Sequence, residues 1–165
     1  MGSGISSSYS GKKGASHPYA ESYHVEKSMH QQDSDYGIYN GTYEKNPTAK
    51  KLTNMINGNY IGNKNTNENG LPYVIDLEGN IIVGRRNGNG KGPGSKPTPH
   101  PTLIGGKDPK VKMAGLLEIR GGKIYSYNNL SGHYKPNIKS IKFADEAFDK
   151  LLKSLFSKKF KKGNS

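Results

Sequence analysis

Residues 115–127 read GLLEIRGGKIYSY, two short runs on either side of Gly121-Gly122. Leu117 and Ile119 alternate with Glu118 and Arg120, which gives one inward face at the period of a strand. The glycine pair supplies the left-handed backbone that a two-residue hairpin turn demands. The stretch therefore predicts an antiparallel hairpin over 115–120 and 123–127. Upstream, Leu71 to Leu77 and Asn80 to Arg85 repeat the arrangement across Glu78-Gly79, with Tyr73, Ile75 and Leu77 on one face. Ile81-Ile82-Val83 is apolar on both faces, as befits a strand with neighbours on each side. Two hairpins make an antiparallel sheet of about four strands.

Two helices are predicted to flank it. Asn46-Pro47 is a start signal, Ala49, Leu52, Met55 and Ile56 share a helical face, and Gly58 can stop the helix, so a short helix is expected over 47–57. Ala144, Ala147, Phe148, Leu151, Leu152, Leu155 and Phe156 form a longer stripe, with acids early and lysines late as the helix dipole favours. The class is α+β: a helix before the sheet and a longer amphipathic one after it.

The 165 residues divide into three parts. Residues 1–46 are an irregular arm rich in Tyr, Ser and Gly, with too many tyrosines for a plainly disordered tail, and are expected to dock through them. Residues 47–157 are the α+β domain, interrupted by a glycine, proline and lysine loop over 86–99 that reads as a mobile lid or insertion. Residues 158–165 are a basic tail. The start, Met1-Gly2-Ser3-Gly4-Ile5-Ser6, fits a loose myristoylation pattern, and a flexible Gly/Ser start explains it as well.

Net charge is +12 and unevenly spread. Residues 1–70 carry 7 Lys+Arg against 6 Asp+Glu, residues 71–136 carry 10 against 4, and residues 137–165 carry 8 against 3. The positive field sits with the sheet and the tail and favours a polyanion, nucleic acid first. The absence of Cys removes disulfides, thiolate metal sites and a cysteine nucleophile. No run is long and apolar enough to span a membrane, and no secretory signal is evident at the start. Placement in the cytoplasm and delivery into a target cell both fit.

Chemistry concentrates between His100 and Pro136. His100 stands between Pro99 and Pro101, which predicts extended backbone around it. His133 stands in Ser131-Gly132-His133-Tyr134, just after the second hairpin. His17, His24 and His30 in the arm lack the carboxylate and cysteine pattern of a metal site, and no metal is expected. Loop 86–99 fails as a phosphate-binding Walker loop, because five residues separate Gly84 from Gly90-Lys91 and Gly92 replaces the hydroxyl residue. Arg85, Arg86, Lys91 and Lys96 are left as cations able to close over phosphate.

Pro99-His100-Pro101-Thr102-Leu103 with Gly105-Gly106, then Ala114-Gly115, Gly122-Lys123-Ile124 and Ser131-Gly132-His133-Tyr134-Lys135-Pro136, resemble a pattern in small bacterial proteins of polymorphic-toxin type. They are also similar to the carboxy-terminal module of plant IQ-motif calmodulin-binding proteins. The likeness covers about residues 71–150, and the arm is similar only to the bacterial members. The IQ motif is absent, so calmodulin binding is not carried over. The resemblance implies a toxin-like effector with a cognate inhibitor protein as a partner and marks a site without naming its reaction; RNA as a partner is expected from the basic charge.

Two histidines in a basic setting are the minimal outfit for metal-independent RNA cleavage, one as base and one as acid. The candidate catalytic residues are His100 and His133, with Tyr134 and Ser131 as orienting donors. Arg85, Arg86, Lys91, Arg120 and Lys135 are candidates for phosphate or nucleic-acid binding. A second reading is an ADP-ribosyltransferase-like module that uses NAD, with Glu118 as its acid. A third is a non-catalytic module that binds nucleic acid or an acidic partner through its lysines.

Overall fold

Both hairpins form in the computed structural model, which describes residues 16–90 and 92–162. The myristoylation pattern and Lys91 lie outside the described residues. Strand β1 is Lys50–Lys51, β2 Ile56–Asn57, β3 Tyr60–Ile61, β4 Glu68–Ile75, β5 Ile81–Val83, β6 Met113–Arg120 and β7 Lys123–Tyr127. Five of them make one sheet in the order β1-β5-β4-β6-β7, and every pairing is antiparallel. The other two form a small separate ribbon, β2-β3. The fold is α+β, with five strands in the main sheet where four were expected. β5 has a neighbour on each side, as its two apolar faces require.

The fifth strand comes from the segment predicted as a helix. Residues 47–57 instead form β1, a 3-10 turn over Leu52–Met55 and β2. Asn46 does not cap a helix. Its Oδ1 accepts from the Thr48 amide and hydroxyl, and its Nδ2 donates to the Arg85 carbonyl at 2.8 Å. Lys50 and Lys51 then pair with Val83 and Ile82. The apparent stripe was two sets of contacts, because Ala49 packs in one core cluster while Leu52, Met55 and Ile56 pack in the other. The short early helix is α1, His30–Asp35, within the arm. The late helix, α2, spans Ile141–Asp149 and ends sooner than its stripe suggests. Leu152 turns to solvent, Leu155 is buried, and Phe156 bridges in parallel to Ile124. The Ser157 amide then donates to the Ile124 carbonyl, and the Lys161 amide to that of Tyr125. Covering the free edge of β7 in this way competes successfully with helix continuation.

The sheet is apolar on both sides. Leu71, Tyr73, Ile75, Met113, Leu117 and Ile119 face α2, whose Ile141, Ala144 and Phe148 complete that cluster. On the other face, Val74 and Ala114 meet Tyr23, Val25 and Tyr43 of the arm together with Leu103, Val111 and Tyr134. The arm thus serves as the second covering layer. It is held by backbone pairing of Tyr23 with Val111 and Tyr43 with Gly106, and by donation from the Glu26 amide to the His133 carbonyl at 2.7 Å.

Two departures from regular pairing shape the sheet near Glu118. The β4–β6 register slips between Asn69 and Leu71, leaving Gly70 as an extra residue at φ +95°, where a side chain would be strained. The β6–β7 register slips between Glu118 and Ile119, leaving Tyr125 as the extra residue on β7. Such bulges re-aim side chains.

Candidate functional site

His100 opens a 3-10 turn over His100–Leu103, so the prolines do not hold it extended as predicted. Pro101 fits the start of a helical turn. The turn lays the imidazole against β6, where Nε2 meets the Gly115 carbonyl at 2.7 Å. A carbonyl only accepts, so Nε2 carries the proton and Nδ1 keeps the lone pair of the neutral ring. His100 is 8% exposed. Burial pushes its pKa down to about 4; the bond to Gly115 opposes this, and charges on His133 and Arg86 add to the lowering. That coupling places His133 and Arg86 in the electrostatic neighbourhood of His100. Gly115 fits here because a Cβ would lie 1.9 Å from the Asn128 carbonyl oxygen.

His133 is also 8% exposed and sits on a turn after β7. Its Nε2 faces the carboxylate of Asp33, at 3.0 and 3.1 Å from the two oxygens. Asp33 is fully buried and accepts a 2.5 Å bond from the Tyr43 hydroxyl. Burial, followed by that bond to Asp33, holds the Tyr43 hydroxyl far above its ordinary range, so it acts as a donor. The three form a chain, Tyr43 to Asp33 to His133, which fixes the imidazole with Nε2–H toward the carboxylate. Nδ1 of His133 has no partner among the described residues, and the same holds for Nδ1 of His100. Asp33 and Tyr43 were not found by sequence reading: the acid lies 100 positions from its histidine, and nothing in His30–Asp35 marks it.

The other predicted residues divide. Arg86 reaches across β4, its Nη2 3.6 Å from where a Gly70 Cβ would lie, and it has no ion-pair partner among the described residues. The loop that carries it is pinned at its neck: Thr98 Oγ1 donates to the Arg85 carbonyl at 2.6 Å, and the Thr98 amide to that of Arg86 at 2.8 Å. Arg85 is exposed beside it. Lys96 is taken up by Glu44 and the Gly37 carbonyl. Lys135 adopts the left-handed region at φ 44°, a strained conformation for a side chain, and its Nζ lies 3.9 Å from Glu26. Ser131 Oγ accepts from the Tyr134 amide and closes the turn. The Tyr134 hydroxyl is fully buried and donates to the Pro109 carbonyl, and it is not placed toward the histidines' free nitrogens by any contact. Tyr134→Phe is expected to lower stability by about 1–2 kcal/mol, the cost of stranding a buried carbonyl, with little effect on any activity. Urea unfolding measures it, and a loss of activity at unchanged stability would return Tyr134 to the chemistry. Glu118 and Arg120 lie on the same face of β6 and pair with each other at 2.6 Å.

The arm histidines are engaged separately: His17 with Glu26 and the Tyr23 ring, His24 with Asp108, and His30 with the rings of Tyr39 and Tyr43. Among the described residues, no group of three or more His, Asp or Glu is placed to hold a metal ion. No helix among them is long and apolar enough to cross a membrane. A cleft of about 420 Å³ opens along the β1 edge, lined in part by Lys45, Lys50, Lys51 and Lys110, and includes neither His100 nor His133.

No family model matches the chain, and no curated protein or solved structure matches it significantly.

Proposed function

We propose that the chain is a toxin-like ribonuclease that cleaves RNA by metal-independent acid–base catalysis. The observation that carries this reading is that two buried imidazoles have opposite surroundings, His100 donating to a backbone carbonyl and His133 facing a buried carboxylate. One is held neutral by burial and the other is backed by a buried carboxylate. His100 Nδ1 takes the proton of the ribose 2′-hydroxyl, and the 2′-oxygen attacks phosphorus. The bond from phosphorus to the 5′-oxygen breaks, and His133 Nδ1 protonates the departing oxygen. Asp33 balances the positive charge on His133 before that transfer, and Arg86 stabilises the charge on the phosphoryl oxygens.

Supporting features are the basic excess over 71–136 and the Arg86 guanidinium, which has no ion-pair partner among the described residues. ADP-ribosyl transfer draws less support, because the Glu118 carboxylate it needs is engaged by Arg120. In this reading the arm belongs to the reactive unit, since it brings Asp33 and Tyr43.

The test is incubation of the full chain with end-labelled RNA in excess chelator. The expected products are a 2′,3′-cyclic phosphate and a 5′-hydroxyl end. Intact RNA, or consumption of NAD with transfer of label to protein, would reject the proposal.

A further inference from the structure

The bulge at Tyr125 puts its ring under the guanidinium of Arg120, whose Cζ lies 3.6 Å from the ring centroid. Glu118 Oε2 holds Nε of the same guanidinium at 2.6 Å, and Ser126 Oγ stands 3.5 Å from Glu118 Oε1. The Arg120 plate is therefore fixed on one edge by a carboxylate and on its underside by an aromatic ring. Its other surface faces solvent, and the side chain is 56% exposed. The other cation–aromatic contacts differ. Lys123 over Tyr60 donates to the carbonyls of Asn59 and Ser154, which ties chain segments together, and Lys142 over Tyr19 and Phe143 is a compact ammonium with no plane to offer.

The position of this plate matters as much as its build. Ala114, Leu116, Glu118 and Arg120 alternate along one face of β6. The arm covers Ala114, whereas Leu116 is half-buried with Arg86 close beside Gly70 and Leu116. His100 is anchored at Gly115, five residues from Arg120, or roughly 17 Å along a strand. The face of Leu116, Glu118 and Arg120 thus runs from beside the Gly115 carbonyl that anchors His100, past the Arg86 guanidinium, to the stacked plate. A short single-stranded segment spans that distance.

We infer that Arg120, stacked on Tyr125 and braced by Glu118, is a nucleobase seat that binds single-stranded RNA a few nucleotides away from the scissile phosphate. An unpaired base lies flat on the outer face of the guanidinium, Leu116 supplies apolar floor, and Arg86 holds an intervening phosphate. A base locked in a duplex has no free face to offer, so the seat selects unpaired RNA. This deepens the ribonuclease reading and rests on it for the identity of the ligand, but it makes a claim about binding that can fail separately.

The test uses fluorescein-labelled 2′-O-methyl RNA hexamers, in which the nucleophile is blocked, read by anisotropy with the full chain. Arg120→Ala is expected to weaken binding about tenfold, and Tyr125→Ala by several-fold. Tyr125→Phe keeps wild-type affinity, and Arg120→Lys does not restore it, because charge without a plane is insufficient. A duplex of the same sequence should bind more weakly and lose nothing further in Arg120→Ala. Equal affinities for wild type and Arg120→Ala overturn the seat even if the chain cleaves RNA. Hexamer binding that depends on Arg120 in a chain that cleaves nothing upholds the seat and overturns the chemistry. No hexamer binding by the wild type overturns both.

Discussion

Asp33→Asn is expected to lower RNA cleavage by about three orders of magnitude while leaving the fold in place. Asparagine fills the same volume and can still accept from the Tyr43 hydroxyl. It presents an amide where His133 Nε2 had a carboxylate, so the imidazole loses both the partner that fixes its proton on Nε2 and the negative charge that offsets protonation. In a serine-protease triad the equivalent exchange costs about 10⁴ in turnover by leaving the histidine in the wrong tautomer. His133→Ala removes the acid itself and should fall in the range of about 10²–10⁴ expected for one positioned proton-transfer group. Under the proposed mechanism the double variant is no worse than the poorer single one, since Asp33 acts only through His133. Single-turnover cleavage of a labelled RNA, with urea unfolding as a control for folding, reads all three. Near-wild-type rates for Asp33→Asn at unchanged stability would remove Asp33 from the mechanism.

The second large effect is on stability against pH, and His100 sets its sign. In the unfolded chain the ring takes up a proton near its ordinary value of 6.5, and in the folded chain only near 4. Between those values the unfolded state holds more protons, so acidification favours it. The contribution is fully present above about pH 6.5 and is lost as pH falls toward 4. A displacement of that size corresponds to about 3 kcal/mol. Urea unfolding at pH 7 and pH 4 should therefore show wild type losing roughly 3 kcal/mol more than His100→Gln, whose amide can still donate to the Gly115 carbonyl but does not titrate. Parallel losses in the two proteins would show that the ring is not held neutral by burial. The same group predicts that cleavage persists into mildly acidic solution, because the base keeps its lone pair until about pH 4.

The hairpins were legible because their information is local. Alternation over 115–120, the Gly121-Gly122 turn and the doubly apolar Ile81-Ile82-Val83 each specify a conformation within a few residues. Residues 47–57 misled for the opposite reason. Asn46 and Pro47 form a sound helix start in isolation, but the side chain of Asn46 is drawn to the Arg85 carbonyl and the following lysines are drawn to β5. Tertiary pairing outweighed a local signal worth about 1 kcal/mol. The histidines could be named because each sits in an unusual context of prolines or small residues. Their partners could not. Asp33 is an ordinary acid in a polar helix until the chain folds, and the bulge that turns Tyr125 under Arg120 follows from register and not from residue type.

The separation of Asp33 from His133 by 100 positions also bears on timing. A contact closed across so much chain forms slowly compared with hairpins and turns, because the entropy of closing a long loop must be overcome first. On a ribosome, the histidine emerges long after the acid that will orient it, and the helix that covers the opposite side of the sheet emerges later still. A nascent or partly assembled chain therefore has no oriented acid to offer. Under the proposed chemistry, the cell that makes this protein is exposed to it only once the segment carrying His133 has folded back against the arm.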